Sequence, residues 1–235
     1  TPGNAHGVCL AGEYAFVADA ASGVQIVQTR ASAPPLQIGS DPFLTTAGKM
    51  KAAGDYLFIA SGPPGLQVVD ISDPTNPSYV GACDTDGEAW DVDIAGNYAF
   101  LADGDSGLAV IDITDPASPA FIAKNDTFPE TFGIVVRGDY AYLAAMSHGL
   151  VIFDVTDPAD PAFSGYYPLS PYIAYDIAVS GDYVYLAAGT AGIVVIDISD
   201  PAAPSLAGSA LGGAFTLTQV AGQGDGPLAL AAVVV

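Results

Sequence analysis

Residues 107–119 read GLAVIDITDPASP. The stretch is a Gly turn, an apolar run rich in β-branched residues, an Asp, and an Asp-Pro-x-x-Pro turn. Three further copies keep the pattern: GLQVVDISDPTNP from Gly65, GLVIFDVTDPADP from Gly149 and GIVVIDISDPAAP from Gly192. A degraded copy, GVQIVQTRASAPP, opens at Gly23. The five opening glycines are 42, 42, 42 and 43 residues apart. A fixed period of this size marks a repeat architecture.

A second anchor keeps the same spacing: Gly12-Glu13, Gly54-Asp55, Gly96-Asn97, Gly138-Asp139 and Gly181-Asp182, each followed by Tyr. Gly with a short polar residue between two β-rich runs predicts a tight hairpin. Each period therefore predicts four strands, a to d, which in the third repeat are 90–95, 98–102, 108–113 and 120–124. Strands a to c are apolar at nearly every residue, so both faces must be covered. A four-stranded meander buried on both faces and repeated predicts a propeller blade packed between two others. A two-sheet sandwich would alternate polar and apolar residues instead.

The expected fold is all-β: a single β-propeller domain over residues 1–235, with blades at about 5–44, 45–87, 88–130, 131–172 and 173–213. Residues 214–222 resemble strand a and 228–235 resemble strand b or c. They are expected to form a sixth, incomplete blade.

Composition narrows the function class. Gly (27) and Pro (18) fall at fixed places in the period, so they punctuate turns and do not signal disorder. Asp and Glu total 26 against 5 Lys and Arg, a net charge of −21. Such a surface repels nucleic acid and anionic membranes. Cys9 and Cys83 make no disulfide framework, and no Cys/His cluster suggests zinc. No apolar run reaches the length of a transmembrane helix. The chain begins at Thr1 without a basic segment followed by an apolar one, as in a secreted chain already processed or in a fragment. The acidic, Lys-poor composition favours the first, so an extracellular or cell-surface location is expected. Asn125-Asp126-Thr127 is a glycosylation sequon.

Leu150-Val151-Ile152-Phe153-Asp154 and Ile193-Val194-Val195-Ile196-Asp197 follow a Gly and precede Asp-Pro-x-x-Pro. In these residues the chain resembles the LVIVD-repeat family of β-propellers. The resemblance covers five repeats and is weakest in the first, where Gln28 replaces the Asp and Ser32 the first Pro. It implies a propeller of the kind found in secreted or surface proteins of bacteria and archaea. It supplies no shared catalytic motif, and a fold alone does not fix a function.

Several residue sets are candidates for chemistry. Asp70, Asp112, Asp154 and Asp197 end strand c, and Asp73, Asp115, Asp157 and Asp200 precede a Pro. Asp followed by Pro suits a type I turn, and their repetition favours turn capping over a single active site. Six residues before each a–b Gly stand His6, Gly48, Trp90, Phe132 and Tyr175, with Phe215 close by in the last half-repeat. These begin the inner strands, and His148 lies in a b–c loop on the same face. The set either stacks on sugars or apolar residues of another protein, or packs the mouth of a small ring. Asp84, Asp86, Glu88, Asp103 and Asp105 share one end of the third blade and are the candidate calcium ligands. Otherwise they are solvated acidic loops. Lys49 and Lys51 match Asp91 and Asp93 one period on, as structural ion pairs. Asp176 matches Asp91 two periods on, which would give a glycosidase-like carboxylate pair. Leu228, Leu230, Val233, Val234 and Val235 form a flat apolar tail, either a template for another chain or an ordinary closing strand.

The expected function is a non-enzymatic extracellular structural or interaction protein that self-associates as a homopolymer or filament. The alternative is a glycan- or peptide-binding module, and the third reading a glycosidase or lyase using Asp91 and Asp176. No cofactor is implied beyond calcium.

Overall fold

The computed structural model describes residues 5–19, 22–29, 35–41 and 48–210. The expected partial blade at 214–235 lies outside them, and so do Phe215 and the apolar tail. His6 and Asp41 are described by backbone alone.

Five four-stranded sheets are present, each formed by consecutive strands. The first holds β1 (Ala5–Ala11), β2 (Tyr14–Asp19), β3 (Gly23–Gln28) and β4 (Leu36–Asp41). The second holds β5 (Met50–Ala53), β6 (Tyr56–Ala60), β7 (Leu66–Asp70) and β8 (Ser78–Cys83). The third holds β9 (Asp91–Ala95), β10 (Tyr98–Ala102), β11 (Leu108–Asp112) and β12 (Ala120–Asn125). The fourth holds β13 (Gly133–Arg137), β14 (Tyr140–Ala145), β15 (Gly149–Asp154) and β16 (Ala162–Tyr167). The fifth holds β17 (Asp176–Ser180), β18 (Tyr183–Ala187), β19 (Ile193–Asp197) and β20 (Ser205–Ala210). No helix occurs among the described residues. The chain forms two compact units, one of Thr1–Asp103 with Ala109–Ile122 and one of Gly104–Leu108 with Ala123–Val235.

The first hairpin of each sheet shows why the sequence folds this way. Ala53 pairs with Tyr56 across a two-residue loop, Gly54-Asp55. Gly54 has φ 58°, which glycine adopts without the Cβ clash. Positive φ at the first loop residue alone is the pattern of a type II′ turn, whose twist matches the flanking strands. Polar residues beside an apolar pleat then fix the register.

Both faces of an inner sheet are buried. In the first unit, Phe16 and Ile26 pack with Leu57, Ile59 and Val69 of the second sheet. That sheet's other face, Phe58 and Val68, packs on Val92, Leu101 and Ile111 of the third. In the second unit, Tyr142 and Ile152 pack with Ile177, Leu186 and Ile196. Each step within a unit therefore sets the forward face of one sheet on the backward face of the next. Each such side chain, fully buried, contributes about 1.5–3 kcal/mol.

The outer strands add a contact between repeats. A Cβ on Gly81 would stand 2.7 Å from Pro116 O, in the c–d turn of the next repeat. Gly39 meets Pro74 O and Gly165 meets Pro201 O in the same way, and Asn125 Nδ2 donates to Pro161 O at 2.9 Å. The glycines let the next turn approach the strand's backbone directly.

Candidate functional site

The strand-c aspartates act on backbone. Asp70, Asp112, Asp154 and Asp197 each accept the N–H two residues on, at 2.8–2.9 Å. Asp73, Asp115, Asp157 and Asp200 do the same at 2.9–3.1 Å. Hydrogen bonds to Ser72, Thr75, Thr114 and Thr156 hold Asp70, Asp73, Asp112 and Asp154 below the usual carboxylate range. The backbone N–H of Ser199 does so for Asp197. A carboxylate accepting N–H bonds is stabilised as the anion.

Trp90, Phe132 and Tyr175 hold one position in successive repeats. Their backbone N–H groups donate to Ala102, Ala144 and Ala187 at 2.9 Å, as does that of Gly48 to Ala60. Trp90 is 43 % exposed, while Phe132 and Tyr175 are half-buried. Tyr175 lies beside Gly189, its Cε2 3.2 Å from where a Cβ there would stand. His148 sits edge-on to Phe128, with ring centroids 5.5 Å apart and planes at 83°. Phe128 in turn stacks on Phe163 at 5.2 Å and meets Tyr166 at 5.9 Å. Phe163 and Tyr166 belong to the outer strand β16, so His148 joins an outer aromatic cluster that sequence reasoning missed. Phe128 and Phe163 lie 35 residues apart in different repeats, and no periodic signal links them.

The charged set on the inner strands forms the expected pairs. Lys49 Nζ is 2.9 Å from Asp91 Oδ2, and Lys51 Nζ is 2.7 Å from Asp93 Oδ1. Burial works against the Lys51 charge, but Asp93, together with Cys9 and Asp91, outweighs it and raises the pKa. Asp91 and Asp93 are almost fully buried; Asp91 Oδ1 accepts the N–H of Val92, and Asp93 Oδ1, the oxygen that Lys51 meets, also accepts that of Ile94. Asp176 is buried likewise and accepts from Ile177 N at 2.9 Å. Asp91 belongs to the first unit and Asp176 to the second.

Asp103 is a tie between loops. It is 1 % exposed and accepts from Thr85 Oγ1 at 2.7 Å and Gly87 N at 3.1 Å. Asp84, Asp86, Glu88 and Asp105 are exposed around it. Among the described residues, no three His, Cys, Asp or Glu side chains gather to hold a metal ion. The five carboxylates are thus not brought together as calcium ligands.

Asn125 uses the amide that a glycan would need. Its Nδ2 donates to Pro161 O, and its Oδ1 accepts Thr127 N at 3.1 Å. Cys9 accepts the N–H of Ala52 at 3.3 Å, and burial pushes its thiol up. Burial raises the Cys83 thiol as well.

The LVIVD repeat model matches residues 2–34, 46–85, 86–127, 130–168 and 173–211. The chain belongs to the LVIVD-repeat family. Among curated proteins none matches its sequence. Solved structures similar to this LVIVD chain share its fold. It is 13 % identical to the β-propeller domain of Cps50 (Swd1) from Myceliophteria thermophila, with TM-score 0.72 over 92 % of this chain and 75 % of that one. It is 12 % identical to a functionally unknown protein from Desulfotomaculum acetoxidans DSM 771, with TM-score 0.76 over 89 % of this chain and 70 % of that one. It is 11 % identical to the computationally designed Ika8 protein, with TM-score 0.69, and its 92 % coverage spans 64 % of that chain. At these identities the likeness concerns fold alone, a β-propeller type that hosts many functions.

Proposed function

We propose that this LVIVD chain is a non-enzymatic extracellular structural or interaction protein that associates with copies of itself, as a homopolymer or filament. One observation carries the reading. Val8 and Leu10 on β1 are 66 % and 61 % exposed, whereas Val92, two repeats on from Val8, is 3 % exposed. Residues that elsewhere pack one sheet on another here face solvent. An apolar sheet face left open is a docking surface or an aggregation hazard. The net charge of −21 suits an extracellular chain that must stay soluble before assembly. Residues 228–235, uncharged and β-prone, are the second element proposed to join copies. Electron microscopy of the full chain and of one lacking 228–235 tests this. Assemblies of the full chain that shrink in the truncated one support it; single particles in both refute it.

Trp90, at 43 % exposure, favours a second reading as a glycan- or peptide-binding module. An exposed indole offers stacking area at little entropic cost. Glycan-array binding lost in Trp90→Ala would support this reading, and unchanged binding would remove it.

A further inference from the structure

Every step between neighbouring sheets within a unit uses two halves: a forward apolar face with an outer-strand glycine, and a backward apolar face with a c–d turn. The fifth sheet has a forward half that no described residue covers. Phe16 with Ile26, Phe58 with Val68, Phe100 with Val110 and Tyr142 with Ile152 are forward pairs exposed by 4 % or less. The fifth pair, Tyr185 with Val195, is only half-buried and sits over Ala178, Ala187 and Ile193. Gly208 keeps the glycine of Gly39, Gly81 and Gly165, yet a Cβ there would meet nothing within 4 Å. On β20 every residue but Gly208 is exposed.

Among the described residues, the first sheet has the opposite half uncovered. Its backward face carries Val8, Leu10, Val17 and Val27, all exposed or half-buried. The corresponding residues of the second sheet, Ile59 and Val69, are 0 % exposed. Pro35, just before β4, stands one period before Pro77. It is exposed, whereas Pro77 and Pro204 are half-buried and Pro119 and Pro161 are buried. In the filled sockets that last proline touches the glycine: Pro77 Cδ lies 3.4 Å from the Cβ position on Gly39, and Pro204 Cδ 3.1 Å from that on Gly165.

We propose that the forward face of the fifth sheet, centred on Gly208, binds the backward face of the first sheet, with Pro35, of a second copy of this chain. The contact repeats the internal step between chains. It is heterologous, so it continues from copy to copy as a ring or a filament. Charge permits it at this end. Where the other repeats carry Asp70 and Asp73, the first carries Gln28 and Ala31. Residues 28–35 hold no Asp or Glu, so this end of the first repeat adds no carboxylate. The proposal rests on the self-association proposed above and names the surfaces.

The test uses Pro35→Cys and Gly208→Cys, each made with Cys9→Ser and Cys83→Ser, and a short bismaleimide crosslinker. Mixing the two single variants is expected to give a crosslinked dimer that neither gives alone. A double variant that crosslinks only within one chain, at monomer mass, would overturn the proposal in favour of closure on itself. Gly208→Leu is expected to weaken association at least 10-fold with an unchanged thermal midpoint. If wild type never associates, the self-association reading falls. If wild type associates and Gly208→Leu does so equally, only this interface falls.

Discussion

Asp112 holds the N–H of Thr114 at 2.8 Å, and Asp70, Asp154 and Asp197 repeat that bond. Hydrogen bonds from Ser72, Thr114, Thr156 and Ser199 hold their folded pKa values below the ordinary carboxylate value. A depressed carboxylate pKa gives stability present above the unfolded value and lost as pH falls through the folded one. The thermal midpoint is therefore expected to drop as pH is lowered into and below the ordinary carboxylate range. Asn accepts the same bond without titrating, so a variant with Asn at 70, 112, 154 and 197 should show a flatter acid limb in calorimetry. Glycine gives a second residue-scale contrast. Gly165→Val places a Cβ against Pro201 O, and the overpacking should cost about 1–3 kcal/mol. Gly208→Val meets nothing within 4 Å and should stay within about 0.5 kcal/mol of wild type. Denaturant unfolding of the two variants side by side checks this. The Asp turns were legible because the partner lies two residues away. The glycine sockets recur at a fixed spacing too, but the atom each accommodates belongs to the next repeat, so spacing alone did not reveal the purpose.

At the scale of strands, the hydrophobic pattern was read with little error. Strands expected at 98–102 and 108–113 are Tyr98–Ala102 and Leu108–Asp112. Alternation of two buried faces leaves few other arrangements, so the four-stranded meander followed directly. Leu143, on β14, is 0 % exposed. Leu143→Ala is expected to cost about 2–5 kcal/mol through lost burial and a cavity, measured by denaturant unfolding. The outer strands were harder to read. β16 shifts register between Ile152 and Phe153, and β4, β8 and β20 shift at the matching place. Such bulges twist an edge away from pairing with another strand. This is why the proposed contact uses sheet faces and not the outer edges. The aromatic group around Phe128 joins separate repeats, and no local signal announces it.

For the whole molecule, the repeat period made the all-β propeller type legible, while the expected sixth blade lies outside the described residues. Function was less legible because the repeated residues build turns and faces. What departs from the repeat is the exposure of the first and fifth sheets. A chain with net charge −21 repels its own copies, and salt screens that repulsion. Apolar association should therefore strengthen from low to high salt. The central claim, that open sheet faces drive association, is tested most directly by sedimentation velocity of wild type and of Val8→Lys/Leu10→Lys over a concentration series in high salt. The account predicts wild-type species that grow with concentration and a variant that stays at the mass of one chain. A wild type that stays at that mass throughout, or a variant that assembles as readily, would contradict it.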